Sequence, residues 1–149
     1  MVIFYETKNF IVEAHDNPHI TRTDGGHIKI TPKKPVENRW QLKSREATKL
    51  MKLSMLIGEA MKKALNKRGI PVERINFQEN GNWPLKKNKT LPLHLHLYGR
   101  AKNSKYQKRG EALYFPTESS KYYKKLKPLN KEDIKEILKQ IKIISKRRD

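Results

Sequence analysis

The alternation Leu93-His94-Leu95-His96-Leu97 restricts most tightly what this chain can fold into. On an extended strand successive side chains point to opposite faces, so the leucines share one face and the two imidazoles the other. Such a strand needs a hydrophobic core against one side and a polar cleft against the other. The chain must therefore build a sheet with one dry face and one face that carries chemistry.

Other segments supply the partners of that strand. Phe10-Ile11-Val12-Glu13-Ala14 is an apolar run that stops at the turn cluster Asp16-Asn17-Pro18. His27-Ile28-Lys29-Ile30-Thr31 alternates with period two, between Asp24-Gly25-Gly26 and Pro32. Arg74 to Gln78 alternates again, residues 80–92 read as a loop, and Leu93 to Tyr98 form the histidine strand.

Ser44 to Arg68 is the strongest helix. Ala47, Leu50, Met51, Ser54, Ile57, Met61, Ala64 and Leu65 recur at three- and four-residue steps, with lysines between them. Ser44 is expected to cap its start, Gly69 to end it and Pro71 to forbid continuation. Its methionines read as core filling. A final helix is capped by Asn130, has Asp133 near its positive end, and lines up Ile134, Ile137, Leu138, Ile141 and Ile144. Residues 101–129 are too polar and lysine-rich to assign. Strands joined by antiparallel loops, with a long helix packed on them, predict an α+β domain.

Composition bounds the function. A chain of 149 residues suits one compact domain. It contains no cysteine, which excludes disulfides, thiolate catalysis and zinc–cysteine sites and makes the cytoplasm the expected compartment. No stretch approaches the roughly 20 apolar residues of a membrane span. The opening Met1-Val2-Ile3-Phe4-Tyr5-Glu6 has no basic region followed by a long apolar run, so no secretory signal is expected. The formal net charge is +19. Residues 1–80 carry 15 basic and 9 acidic side chains, and residues 81–149 carry 19 and 6. The second half thus holds +13 of the excess, a field that concentrates phosphate-bearing partners such as nucleotides and nucleic acids. A solvated lysine surface is the plainer reading of the same charge.

For His94 and His96 three readings stand at this point. They can be an ordinary pair at the edge of the core. With His27 they can be three nitrogen ligands of a zinc ion that keeps an open position for water, although no acidic residue lies near in sequence to orient them. They can also do phosphoryl chemistry, one neutral imidazole attacking phosphorus while its neighbour donates to the leaving oxygen. A reference pKa of about 6.5 makes both roles available near neutrality.

The surrounding pattern resembles the histidine triad (HIT) superfamily of nucleotide hydrolases and transferases. In that family a glycine-led strand begins with a histidine and ends in Pro-Lys, as Asp24-Gly25-Gly26-His27-Ile28-Lys29-Ile30-Thr31-Pro32-Lys33-Lys34 does here. A helix, a strand, an Asn-Gly loop and a strand of alternating histidines follow. This chain has the helix 44–68, the strand 74–78, Asn80-Gly81 and Leu93-His94-Leu95-His96-Leu97-Tyr98-Gly99-Arg100, so the resemblance covers roughly residues 10–100.

The resemblance implies a HIT-like antiparallel sheet of about five strands, with one long helix packed on it and an additional C-terminal helix. It divides the chain into a catalytic core over 1–100 and a basic extension over 101–149, packed on the same domain. With Leu97-Tyr98 as the hydrophobic pair that closes the motif, Pro92 stands where the family has its first histidine. His94 then takes the nucleophile's place and His96 that of the group assisting the leaving group. The other registration makes His94 the first residue, His96 the nucleophile and Tyr98 the third. His27 would buttress the nucleophile's other ring nitrogen. The residue eight positions before His27 is expected to hold the ribose; here it is His19, with Asp16 nearby. Asn80 and Gly81 would face the phosphates, and Arg100 is a further phosphate candidate. Trp40 and Trp83 read as core, and His15 receives no role.

The implied activity is attack by His94 on the α-phosphorus of a dinucleoside polyphosphate, a phosphoramidate or an adenylylated end, giving a covalent nucleotidyl-histidine that water resolves. No metal or cofactor is required. A homodimer is implied, with the long helix or an adjacent strand at its interface. Two rivals stay open: a nucleic-acid-associated protein, in which Lys121 to Lys127 with Tyr122 and Tyr123 touch the backbone and bases, and a zinc hydrolase built on three histidines.

Overall fold

A computed structural model describes residues 2–147; Met1, which heads the segment read for a leader, and residues 148 and 149 of the extension lie outside the described residues. Five strands form one fully antiparallel sheet: β1 (Val2–Glu6), β2 (Phe10–Ala14), β3 (His27–Pro32), β4 (Val72–Gln78) and β5 (Leu95–Ala101). Their spatial order is β1-β2-β3-β5-β4, which puts the histidine strand beside the glycine-led strand and leaves β1 and β4 as edges. Two helices, α1 (Ser44–Lys67) and α2 (Lys131–Arg147), pack on one face of the sheet and against each other. The expected α+β class and strand number are met.

Alternation decides which face is dry. Phe10 and Val12 of β2, Ile28 and Ile30 of β3 and Leu95 and Leu97 of β5 join Ile57, Met61 and Leu65 of α1 and Ile137, Ile141 and Ile144 of α2 in a single core. A fully buried aliphatic side chain contributes roughly 1.5–3 kcal/mol, several times an exposed ion pair. Slipping one residue would turn the whole set outward, so the apolar face fixes register. His27, Lys29 and Thr31 of β3 and His96, Tyr98 and Arg100 of β5 are thereby committed to the other face.

Several expectations are corrected in detail. Ser44 is the first residue of α1 rather than its cap; Lys43 holds the cap position and makes no side-chain cap bond. Gly69, at φ +87, ends the helix as expected. Met51 is exposed and so is Met55, because the buried stripe is centred on Leu50, Leu53, Ile57, Met61 and Ala64 and Met51 falls just outside it. The histidine strand begins at Leu95, two residues late, and runs on to Ala101. Asn130 does cap α2, its Oδ1 accepting the Asp133 amide at 2.9 Å.

The lysine-rich segment after β5 is fastened to the domain. The buried Asp24 carboxylate accepts the amides of Lys105 and Tyr106. Arg100 donates to Asn76 Oδ1 and to the carbonyls of Lys108 and Glu111. Asp133, fully buried, receives Arg22 and Arg68. Burial pushes its carboxyl up, but these guanidinium bonds and the Asn130 amide outweigh that and hold it below the usual range. Among the described residues no helix is long and apolar enough to cross a membrane.

Candidate active site

The face left by the alternation opens into a cavity of about 830 Å³. His94 and His96 lie in its wall with ring centroids 4.7 Å apart and planes at 80°. Glycine makes the strand pairing beneath them possible. Gly25 and Gly99 cross so closely that a Cβ on Gly99 would sit 2.1 Å from the Gly25 carbonyl oxygen. The glycine pair before His27 thus permits a close approach of β5, and Gly25 has the φ of +130 that favours glycine.

Hydrogen bonds fix the proton of each ring. His94 Nδ1 lies 2.8 Å from the Pro92 carbonyl oxygen, which can only accept, so Nδ1 carries the proton and Nε2 keeps its lone pair. The His19 backbone amide donates to His27 Nδ1 at 3.1 Å. His27 must then carry its proton on Nε2, and it donates to His96 Nδ1 at 2.8 Å. His96 is left with Nε2–H. The two histidines therefore carry opposite tautomers: His94 has a free lone pair and His96 a donor. The expectation that His27 buttresses His94 is corrected, because register places β3 against His96 while His94 precedes the strand.

The rings around this pair form one cluster. His15 stacks on His27 at 5.1 Å, and Tyr98 stacks on His96 at 5.3 Å with planes at 8°. Tyr98 Oη donates to Asn80 Oδ1 at 2.7 Å and lies 3.3 Å from His19 Nδ1. Burial pushes His96 down to about 2, with the charges of His94, His19 and Lys29 acting in the same direction. Burial likewise lowers His15 and His19 to about 4 and takes His27 well below its ordinary value. It lowers His94 too, against the bond to Pro92. Burial raises Tyr98, which keeps its hydroxyl proton. At neutral pH the cluster is uncharged.

Most of the anticipated residues meet here. His19, Asn80, Gly81, His94 and His96 line the cavity, and His27 supports it from behind. Arg100 does not line it; its guanidinium is taken up by Asn76 and two carbonyls of the following segment. Asp16 is not in the wall either. The three-histidine zinc set is not formed: His27 Nε2 is bonded to His96, and among the described residues no group of three His, Cys, Asp or Glu is placed to hold a metal ion. Neither tryptophan is core. Trp40 is exposed, and Trp83 lies in the cavity wall at 5.1 Å from His19.

The sequence reading missed His15, Lys29, Thr31 and Phe115, all in the wall, and placed Tyr123, also in the wall, only on a surface for nucleic acid. Lys29 and Thr31 were findable, since they follow His27 at steps of two. Phe115 and Tyr123 come from the unassigned segment and pack edge-on to His19.

Comparison with known proteins agrees with this architecture. The model of the HIT domain matches residues 1–103. A HIT-like protein involved in cell-cycle regulation from Bartonella henselae is 21% identical with a TM-score of 0.60, over 93% of this chain and 85% of that one. A hypothetical histidine triad nucleotide-binding protein from Sulfolobus tokodaii is 18% identical with a TM-score of 0.63, over 98% and 87%. A zinc-bound histidine triad family protein from Mycobacterium smegmatis is 16% identical with a TM-score of 0.61, over 98% and 87%. No curated protein matches the chain. A domain model covering more than two thirds of the sequence, on a sheet that carries the histidine strand in its place, establishes that this chain belongs to the HIT domain family.

Proposed function

We propose that the protein is a nucleotidyl hydrolase or transferase that acts at the α-phosphorus of a nucleoside phosphate, with His94 as nucleophile and His96 as donor to the leaving group. The opposite tautomers of these two residues carry the reading. His94 Nε2 attacks phosphorus, forming a P–N bond as the bond to the leaving group breaks and its electron pair departs with that group. The positive charge that attack places on the His94 ring faces the Pro92 carbonyl. Pro92 thus serves the site through its backbone, although its side chain cannot relay a proton. His96 Nε2–H steadies the departing atom. Water then attacks the phosphorus, the P–N bond breaks, its pair returns to Nε2, and the proton from water goes to solvent. Positioning and charge stabilisation carry such a reaction.

His19 and Asn80-Gly81 are the nucleoside-side candidates, and Trp83, Phe115 and Tyr123 offer aromatic surface for a base. The core over 1–100 holds the chemistry, and the extension over 101–149 closes one wall. The proposed setting is the cytoplasm. A second substrate class has one observation behind it: Tyr123, from the turn Lys121–Lys125, reaches the wall and joins the basic surface to the cavity. That favours an adenylylated nucleic-acid end as a carrier of the same α-phosphorus.

Intact-protein mass spectrometry after brief incubation with diadenosine tetraphosphate in EDTA tests the scheme. A nucleotidyl adduct on the wild type that is absent from His94→Ala is expected. An adduct that persists in His94→Ala and vanishes in His96→Ala would move the nucleophile to His96.

A further inference from the structure

The lysine-rich segment between β5 and α2 is two-sided. Phe115 and Tyr123 line the cavity, whereas their sequence neighbours Tyr114 and Tyr122 do not. The outer rings form a cluster of their own around Tyr122, with Tyr106 edge-on to it at 5.7 Å and Tyr114 at 5.3 Å. Tyr122 also meets Tyr123 at 5.3 Å, and Tyr123 meets Trp83 at 5.5 Å and His19 at 5.6 Å. An unbroken run of rings therefore leads from the cavity wall out to Tyr114, which is 54% exposed.

A buried amide holds the outer rings in place. Gln107 Oε1 accepts the Tyr114 backbone amide at 2.7 Å, and its Nε2 donates to the Tyr114 carbonyl at 3.0 Å and to Tyr122 Oη at 3.2 Å. The Asp24 carboxylate fixes Tyr106 through its backbone amide. The Tyr114 side chain enters no hydrogen bond among the described residues, so a ring is set at the surface with its ordering cost already met.

Charge surrounds these rings. Residues 102–127 carry eight basic and two acidic side chains. Lys105, Lys108, Lys121, Lys124, Lys125 and Lys127 are exposed, and none enters an ion pair among the described residues. Lysines alone would suit any polyanion; the rings narrow the partner. The carboxylates of an acidic protein are repelled by the negative face of a ring. A bilayer surface asks for an apolar face, yet Leu126 is buried and Tyr114 is the one large hydrophobic side chain this segment exposes among the described residues. Unpaired bases present a flat face at every step with a phosphate charge between, whereas a duplex keeps those faces in its own stack.

We propose that Tyr114 and Tyr122, with the lysines around them, form a docking track for single-stranded nucleic acid that ends at the mouth of the cavity. The lysines neutralise phosphates and Tyr114 stacks on a base. Tyr123 hands the end of the strand to the wall formed by Trp83 and His19. The use of the track rests on the nucleic-acid reading above, while binding along it needs no attack by His94.

Fluorescence anisotropy with a labelled oligothymidylate of about 16 nucleotides tests the track without turnover. The wild type should bind it more tightly than a blunt duplex of the same length. Tyr114→Ala, whose backbone keeps both bonds to Gln107, should weaken strand binding about tenfold, the scale of one lost base stack. Tyr114→Phe should bind as the wild type does, and Tyr114→Ala should leave affinity for inorganic polyphosphate unchanged. Replacing Lys121, Lys124 and Lys125 together by Gln should flatten the slope of log affinity against log salt by about 2. Strand affinity indifferent to Tyr114→Ala, or tighter binding of the duplex, would overturn the track and leave a surface that attracts polyanions by charge alone. Tyr114-dependent strand binding by a chain that forms no adduct with diadenosine tetraphosphate would instead remove the His94 scheme and leave the track standing.

Discussion

The carboxylate of Asp24 accepts the backbone amides of Lys105 and Tyr106 at 2.7 and 2.9 Å, tying the entry of β3 to the segment that walls the active cavity. Asp24 immediately precedes the glycine pair and His27, so one side chain couples the histidine relay to Phe115 and Tyr123. Asp24→Ala leaves two amides without their acceptor, at roughly 1–3 kcal/mol for the pair. For a chain of this size that corresponds to a fall in Tm of roughly 3–10 °C. Thermal melts read by circular dichroism would check it; an unchanged Tm would show that water replaces the carboxylate.

The relay makes a separate claim about rate. His27→Ala removes the donor to His96 Nδ1, freeing that ring to take its other tautomer and turn its lone pair toward the leaving group. Adduct formation should slow by about 10²-fold, the lower end of what a positioned donor contributes. Substrate affinity should change little. His27→Gln, whose amide can still donate, should recover part of the rate. Equal losses in both variants would mean that His27 acts only through packing.

Much of this was legible because alternation carries a long way. Leu95 and Leu97 against His96, and Ile28 and Ile30 against His27, gave the dry face, the wet face and the neighbouring strands. The misreadings have physical causes. Arg100 lies on the cavity side of β5 by parity, yet its fork is captured by carbonyls of a segment whose path no periodicity revealed. His15 follows β2 by one residue and reaches the site only because β2 pairs with β3. The path of residues 102–129 is held by long-range bonds to Asp24, Arg100, Thr21 and Arg22, and no local pattern encodes those. The 3-10 turn Trp83–Lys87 likewise brings Trp83 to the cavity from a stretch that read only as loop.

Burial of neutral histidines gives stability a defined pH window. Unfolded histidine titrates near 6.5, whereas His15 and His19 fold with values of about 4. Below pH 6.5 the unfolded chain binds protons that the folded chain refuses, so this stability is complete above 6.5 and is lost as pH falls toward 4. Urea midpoints at pH 8, 6 and 5 should decline in that order. His15→Gln removes one of the titrating groups and should make the decline shallower. A midpoint that holds constant from pH 8 to 5 would show that the cluster hydrates and protonates within the fold.

The outer edge of the sheet supports the remaining prediction, that two copies associate. β4 is an edge strand, and its Phe77 is 47% exposed while its ring lies over Gly58 of α1, 2.7 Å from where a Cβ would stand. Met55 and Met51, 45% and 59% exposed, precede Gly58 on the helix at three- and four-residue steps, so the three side chains form one apolar strip. An edge strand flanked by such a strip invites pairing with its own copy about a two-fold axis. Light scattering coupled to size exclusion should give twice the chain mass of 17.6 kDa. Phe77→Glu places like charges face to face across that axis and should give the monomer without unfolding it. A wild type that stays monomeric at tens of micromolar would remove the dimer from this account and leave the strip without an assigned role.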